Sequence, residues 1–211
     1  MADLRIDASR TALLSMDLQT AVVSIYTKNE PRFLARVSGI LNTARRKNIP
    51  VVHVQVGFRP GLPEIDPRNQ LFGGIKTSPQ WQQIFEGPAG AIHPEIAPLP
   101  DEIVITKHRI NAFAGTDLEM ILRANRIDTL ILLGIATSGV VLSTLLHASD
   151  ADYKLFVVKD CCADLDEEVH ACLTQKFFPQ RATVLTADEL LDSLPSNVFQ
   201  SRSILAEDSA Q

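Results

Sequence analysis

Cysteine is scarce. Cys161, Cys162 and Cys172 are the three among 211 residues, an odd count with two of them adjacent, which argues against a secreted disulfide framework and fits a reducing compartment. Long apolar runs are missing too: no stretch approaches the roughly 18 uninterrupted apolar residues a membrane span requires. Met1 to Arg10 carries Asp3, Arg5, Asp7 and Arg10 instead of the apolar core of a signal peptide. A soluble, cytoplasmic chain with no membrane partner is expected, leaderless export being left open. Basic residues are the minority, 20 Lys plus Arg against 25 Asp plus Glu for a formal charge of -5. No Lys or Arg run reads as a phosphate-tracking stripe, so nucleic acid is not an expected partner. There is no fixed-period repeat or low-complexity block, and the 12 prolines and 10 glycines are ordinary usage, which sets aside collagen, solenoid and disordered classes. What is present is 45% hydrophobic and 21% charged residues, the composition of one globular domain. That domain is expected over 1–195, with the polar 196–211 as a flexible tail.

Short runs rich in Val, Ile and Leu recur at Thr11 to Met16, Val51 to Val56, Glu102 to Thr106, Thr129 to Gly134, Leu155 to Lys159 and Ala182 to Leu185. Each reads as a buried strand. Between them lie helical spacings: Phe33, Val37, Ile40, Leu41 and Ala44; Leu118, Ile121 and Leu122; Val141, Leu142, Leu145 and Ala148; Val169, Leu173, Phe177 and Phe178. Strand-then-helix order implies right-handed crossovers, a parallel sheet of about six strands covered by helices on both faces, and function at the carboxyl ends of the strands. The interruption is 57–100, which holds most of the prolines, Gly73-Gly74 and Trp81 without a sustained period. It is expected to carry one short helix around Gln80 to Phe85 and to fold over the carboxyl edge as a lid or a subunit contact; a solvated insertion is the alternative.

Polar residues just past the strand ends are candidates to share one crevice. They are Asp17-Leu18-Gln19 after the first strand, Lys107-His108-Arg109 after the third, and Gly134 through Val141 opening a helix after the fourth. A carboxylate, an ammonium and free N–H groups at a helix start would supply an acid/base pair and anion donors. An Asp at a strand end also serves as a helix cap and a Lys as a surface charge, so spacing alone leaves both readings open.

Met16-Asp17-Leu18-Gln19, the segment Thr106 to Leu118, and Gly134-Ile135-Ala136-Thr137 through Thr144 resemble, in order and in register, the three signature blocks of the isochorismatase-like hydrolase superfamily. The resemblance extends from about Arg10 to Leu194. It implies a three-layer α/β/α Rossmann-like fold, a homo-oligomer of two, four or more chains, and hydrolysis of a small molecule. By position, Asp17 matches the family's catalytic carboxylate and Lys107 its catalytic lysine, and the Ile135–Ala136 peptide is expected to be cis. Gln19, Phe58, Arg109, Phe113, Thr137, Ser138 and Gly139 are expected around the substrate, with Phe58 and Phe113 as apolar walls.

The resemblance breaks at Val140, which stands where amide-cleaving members carry the nucleophilic cysteine. Valine cannot attack a carbonyl, so the covalent thioester route loses its defining group. Ser138 in the same turn is either a displaced nucleophile or an N-cap; Cys161 and Cys162 after the fifth strand are weaker substitutes, and Cys172 is expected in the core. Nicotinamidase-type members hold a metal through an Asp-x-His pair where Val56-Gly57-Phe58 stands here, and neither Val56 nor Phe58 can ligate. Neither metal nor cofactor is expected.

True isochorismatases in the superfamily lack the cysteine, although they carry Gly at that position and a Tyr-Ala-His turn. They protonate the methylene carbon of an enolpyruvyl ether and let water add. By that likeness Asp17 is the general acid, with Lys107 and Arg109 on substrate carboxylates. Lys107 nearby would lower the pKa of Asp17, so desolvation has to prevail for this chemistry. Two alternatives stand: an amide or carbamoyl hydrolase with a displaced nucleophile, and an inactive relative that binds a small carboxylate. No G-x-G-x-x-G or P-loop follows the first strand, which sets nucleotide cofactors aside. Exposed apolar character around Leu71, Phe72, Ile75 and Trp81 is the residue-level pointer to self-association.

Overall fold

A computed structural model describes residues 6–27 and 30–194; the expected tail at 196–211 lies outside the described residues. Six strands form one sheet: β1 (Thr11–Met16), β2 (Val51–Val56), β3 (Ile103–Lys107), β4 (Thr129–Ile135), β5 (Lys154–Ala163) and β6 (Thr183–Leu185). All pairings are parallel, in the order β3-β2-β1-β4-β5-β6. The chain therefore builds outward from β1 to β3, then crosses to the other side of β1 to lay down β4. The crevice of such a sheet opens where the order reverses, between the carboxyl ends of β1 and β4.

The helices are α1 (Thr20–Tyr26), α2 (Phe33–Arg46), α3 (Gln70–Thr77), α4 (Pro79–Gln83), α5 (Gly87–Gly90), α6 (Leu118–Ala124), α7 (Leu142–Asp150), α8 (Glu167–Cys172) and α9 (Ala187–Ser193). Every residue of β1 and β4 is buried, because apolar side chains leave a central strand on both faces and each face must be covered. Leu13, Ile131, Leu133, Phe156 and Val158 pack with Phe33, Val37, Ile40 and Leu41 of α2 and Leu190 of α9. On the opposite face Leu14, Met16, Val54, Leu132 and Val157 pack with Leu118 and Leu122 of α6 and Leu145 of α7. This is the expected three-layer arrangement. None of the described helices is long and apolar enough to cross a membrane.

Several local expectations need correction. Segment 57–100 holds three helices rather than one. Two of them start at side-chain caps, Asn69 accepting from the backbone N–H groups of Leu71 and Phe72, and Ser78 from that of Trp81 ahead of Pro79. Phe72 and Ile75 are not exposed: with Ile65 they form a small third core, while Leu71 and Trp81 remain in solvent. Strand β5 runs on past Lys159 through Cys161 and Cys162, because a register shift between Leu132 and Gly134 lets Gly134 pair with Cys162 and Ile135 with Ala163. Cys172 is exposed rather than in the core. The short α8 turns Cys172 and the partly exposed Val169 outward and anchors through His170 and Thr174 instead.

Candidate active site

Asp17 is the first residue beyond β1 and has a left-handed backbone, φ 54°, a conformation Asp adopts more readily than most residues. Its N–H donates to the Val54 carbonyl of β2 at 2.8 Å, which holds the carboxyl group at the crevice. Lys107 is the last residue of β3 rather than the first beyond it. Its Nζ lies 2.7 Å from Asp17 Oδ2 and donates to the Arg109 carbonyl at 3.1 Å. The pair is nearly enclosed, and Asp17 Oδ1 is buried without a hydrogen-bond partner.

Two effects compete at Asp17. Burial strips water from the carboxylate and raises its pKa, while the Lys107 charge and hydrogen bond lower it; burial prevails, and the pKa lies above the usual carboxylate value. The orphaned Oδ1 gives the cause a location, since a desolvated oxygen without a donor stabilises negative charge poorly.

The wall opposite comes from β4 and the wide helical turn Thr137–Val141 that leads into α7. Gly134 has φ 145°, and a Cβ there would stand 2.1 Å from the Met16 carbonyl oxygen, so β1 and β4 meet this closely only because residue 134 has no side chain. The Ile135–Ala136 peptide is cis. Three N–H groups of the turn are already engaged: that of Ser138 donates to Asp164 Oδ2 at 2.7 Å, and those of Gly139 and Val141 donate to the Ala136 carbonyl.

These parts enclose a cavity of about 400 Å³ whose lining includes Asp17, Lys107, Val56, Gly139 and Val140. Leu71, Phe72, Ile75, Trp81, Ile84 and Phe85 from segment 57–100 roof it, and Val22, Ile25 and Tyr26 of α1 close one side. Among the described residues, none that lines it is Cys, Ser or Thr.

Of the residues singled out from sequence, Asp17, Lys107, Ile135, Ala136, Gly139 and Val140 line this cavity, and six others do not. Gln19 is fully used by the backbone: Nε2 donates to the Val56 and Gly90 carbonyls at 2.9 and 2.6 Å, and Oε1 accepts from Val56 N–H at 2.9 Å. It ties the end of the roof segment to β2. Phe58 packs edge-on against Phe72 and Phe85, behind the roof. Phe113 stacks on His147 in the core with centroids 4.4 Å apart. Arg109 turns away, donating to the Glu64 and His108 carbonyls at 2.8 and 2.6 Å.

Thr137 is buried, its Oγ1 2.8 Å from His170 Nδ1, and Ser138 is exposed outside the cavity. Cys161 and Cys162 are buried within β5, their thiols pushed up by desolvation, that of Cys162 to about 12. Neither offers a thiolate near neutrality.

Sequence reasoning missed α1 as a wall, and it read Leu71, Phe72, Ile75 and Trp81 as a pointer to self-association rather than as lining of the cavity. Val22, Ile25 and Tyr26 follow Asp17 within ten residues and form an apolar stripe, a signal that was present. The roof residues lie on helices too short to show a period.

The isochorismatase domain family model matches residues 11–189. The chain is 29% identical over 197 residues to the isochorismatase family protein YwoC of Bacillus subtilis (strain 168), covering 92% of this chain and 99% of that protein. It is 26% identical over 192 residues to a maleamate amidohydrolase of Pseudomonas putida, covering 88% and 87% respectively. An isochorismatase of Bacillus subtilis (strain 168) is 30% identical over 195 residues, covering 89% of this chain and 59% of that protein. Among solved structures, an isochorismatase family protein from Burkholderia thailandensis superposes with a TM-score of 0.76 at 25% identity, covering 90% of this chain and 97% of that one.

Proposed function

Because the chain belongs to the isochorismatase family of hydrolases, we propose that it cleaves a small enol ether with Asp17 as general acid and without a covalent enzyme intermediate. The observation that carries this reading is the cavity's combination of a carboxyl group with a raised pKa and Val140, with no Cys, Ser or Thr among the described lining residues. Amide cleavage by this family's covalent route needs a nucleophile against the carbonyl. Vinyl-ether cleavage needs an acid.

In the proposed step the Asp17 carboxyl protonates the terminal methylene carbon of the enol ether, and the ether oxygen stabilises the resulting oxocarbenium ion. Water adds to the oxygen-bearing cationic carbon, not to the newly formed methyl group, and returns a proton to the Asp17 carboxylate. The hemiketal then collapses to a ketone and an alcohol. For an enolpyruvyl ether such as isochorismate the ketone is pyruvate, and the alcohol is a dihydroxy-dihydrobenzoate. Lys107, 2.7 Å from Oδ2, stabilises the carboxylate left after proton transfer and so balances an acid that would otherwise be too weak to donate. The apolar roof keeps bulk water from the cation.

The test is pyruvate release from isochorismate and from simple 2-alkoxyacrylates, comparing the wild-type protein with Asp17→Asn. A drop in kcat/KM of about 10²-fold or more in the variant is expected. Undiminished release in Asp17→Asn would remove Asp17 as the acid. Ligand binding without turnover by the wild type would instead favour the binding-only reading. A displaced Ser138 nucleophile has little support, since that side chain is exposed outside the cavity; a covalent Ser138 adduct trapped from an amide would reverse that judgement.

A further inference from the structure

We propose that the molecule taken by this cavity is predominantly apolar and carries no more than one anionic group, which sits at the Asp17–Lys107 floor while its hydrocarbon body runs outward to the rim. The inference rests on the assignment of that cavity as the reaction site and narrows the substrate within it.

Charge is the first argument. Lys107 and Asp17 are the lining residues that bear charge, and at 2.7 Å they compensate each other. One substrate carboxylate can share Lys107, most readily while Asp17 is protonated. A second has no further cation to meet among the described lining residues. Arg109 donates to two carbonyls and lies over the Phe72 ring rather than in the cavity. Arg59 is turned toward His108 and Glu64. Moving a second carboxylate from water into these surroundings carries a desolvation penalty that no second cation among the described lining residues offsets. Isochorismate, a dicarboxylate, is therefore a poor member of its own class for this protein.

Apolar surface is the second argument. Ile25, Leu71, Trp81 and Leu165 all line the cavity, yet their exposures are 38%, 58%, 55% and 63%. Together they form an apolar rim around the opening of a cavity whose charged groups lie at its floor. A small, fully polar ligand would leave that rim in water, whereas a ligand with a hydrocarbon body extending from the floor would cover it.

Trp81 is the chain's only tryptophan and stands on this rim, so intrinsic fluorescence reports directly on occupancy. The experiment titrates the wild-type protein with unreactive carboxylates: butanoate, hexanoate, octanoate, cyclohexanecarboxylate and cis-cyclohexane-1,2-dicarboxylate. Trp81 emission is followed, with calorimetry as an independent measure. The expected result is a Kd falling about 3- to 4-fold for each added methylene, a blue shift of Trp81, and binding of the dicarboxylate at least about 10-fold weaker than that of the ring monocarboxylate. Equal or tighter binding of the dicarboxylate, a flat chain-length series, or no binding at all would overturn the inference.

Turnover assays separate this inference from the reading beneath it. Apolar monocarboxylates that bind as expected while no enol ether is cleaved would remove acid catalysis and leave the charge argument standing. Cleavage abolished by Asp17→Asn but faster for isochorismate than for 2-(cyclohexyloxy)acrylate would do the reverse.

Discussion

Asp17 and Glu102 are two enclosed carboxyl groups driven in opposite directions. Asp17 has one cationic neighbour and an orphaned oxygen, so burial raises its pKa. Its protonated form is the competent acid, and kcat/KM is expected to fall as pH rises through that raised value, above the usual carboxylate pKa. A pH profile that stays flat there, or titrates only at an ordinary carboxyl pKa, would contradict the role. Glu102 immediately precedes β3, and burial by itself would raise its pKa also. Arg45 overcomes this with two hydrogen bonds at 2.8 Å, Leu99 N–H adds another, and His53 Nε2 stands 3.1 Å away. The result is a pKa lowered from the usual 4.5 to about 2. A depressed acid contributes stability above its unfolded pKa and loses it as pH falls through the folded one, here between about 4.5 and 2, and at most on the order of 3 kcal/mol is involved. His53, lowered by burial against the pull of Glu102, acts with the same sign from its unfolded value of 6.5 downward. The apparent Tm should therefore drop steeply on acidification. Glu102→Gln should lower the Tm at neutral pH and flatten that acid limb in scanning calorimetry.

Glycine positions in β4 and α2 invite opposite outcomes from one substitution. Gly134→Ala would drive a Cβ to within 2.1 Å of the Met16 carbonyl at φ 145°, forcing apart the strand ends that carry Asp17 and Val140. A loss of at least about 3 kcal/mol is expected, within the range of severe core changes. Gly39 in α2 meets nothing within 4 Å, and Gly39→Ala should add about 0.5–1 kcal/mol. Urea denaturation of both variants checks the pair. The same elements explain what could be read in advance. The spans of β1 and β2 match their apolar runs to the residue, because a strand buried on both faces is a continuous apolar word. The end of β5 was hidden, since Lys159 and Asp160 interrupt the run while the backbone keeps pairing. Asp17 and Lys107 were legible because a parallel sheet delivers strand ends to one edge. The expected contacts of Gln19, Phe58, Arg109 and Phe113 were not, because proximity in sequence says nothing about which way a side chain turns or whether a backbone carbonyl claims it first. Segment 57–100 was read as a possible lid with one helix, and its other helices escaped notice because they are set by caps such as Asn69 rather than by periodicity.

Two large cores clamp the sheet from either side, whereas the roof rests on a small cluster of Ile65, Phe72 and Ile75. Few buried apolar groups imply a lower free energy of local opening. In a urea titration the Trp81 emission is expected to change at a lower midpoint than far-UV circular dichroism, and coincident midpoints would mean that roof and sheet open as one unit. Ligand binding should draw the two midpoints together, because an occupant of the cavity stabilises the closed roof. The order of the strands also sets a timetable. A chain emerging from the ribosome delivers Asp17 first and, with β1 to β3, can bring Lys107 beside it while β4 is still being synthesised. The charged floor is thus available before the wall that bears Val140, and β1, the middle of the finished sheet, waits for half of its neighbours until the chain has passed residue 135. For that interval its apolar face is the part of the newborn protein most in need of cover.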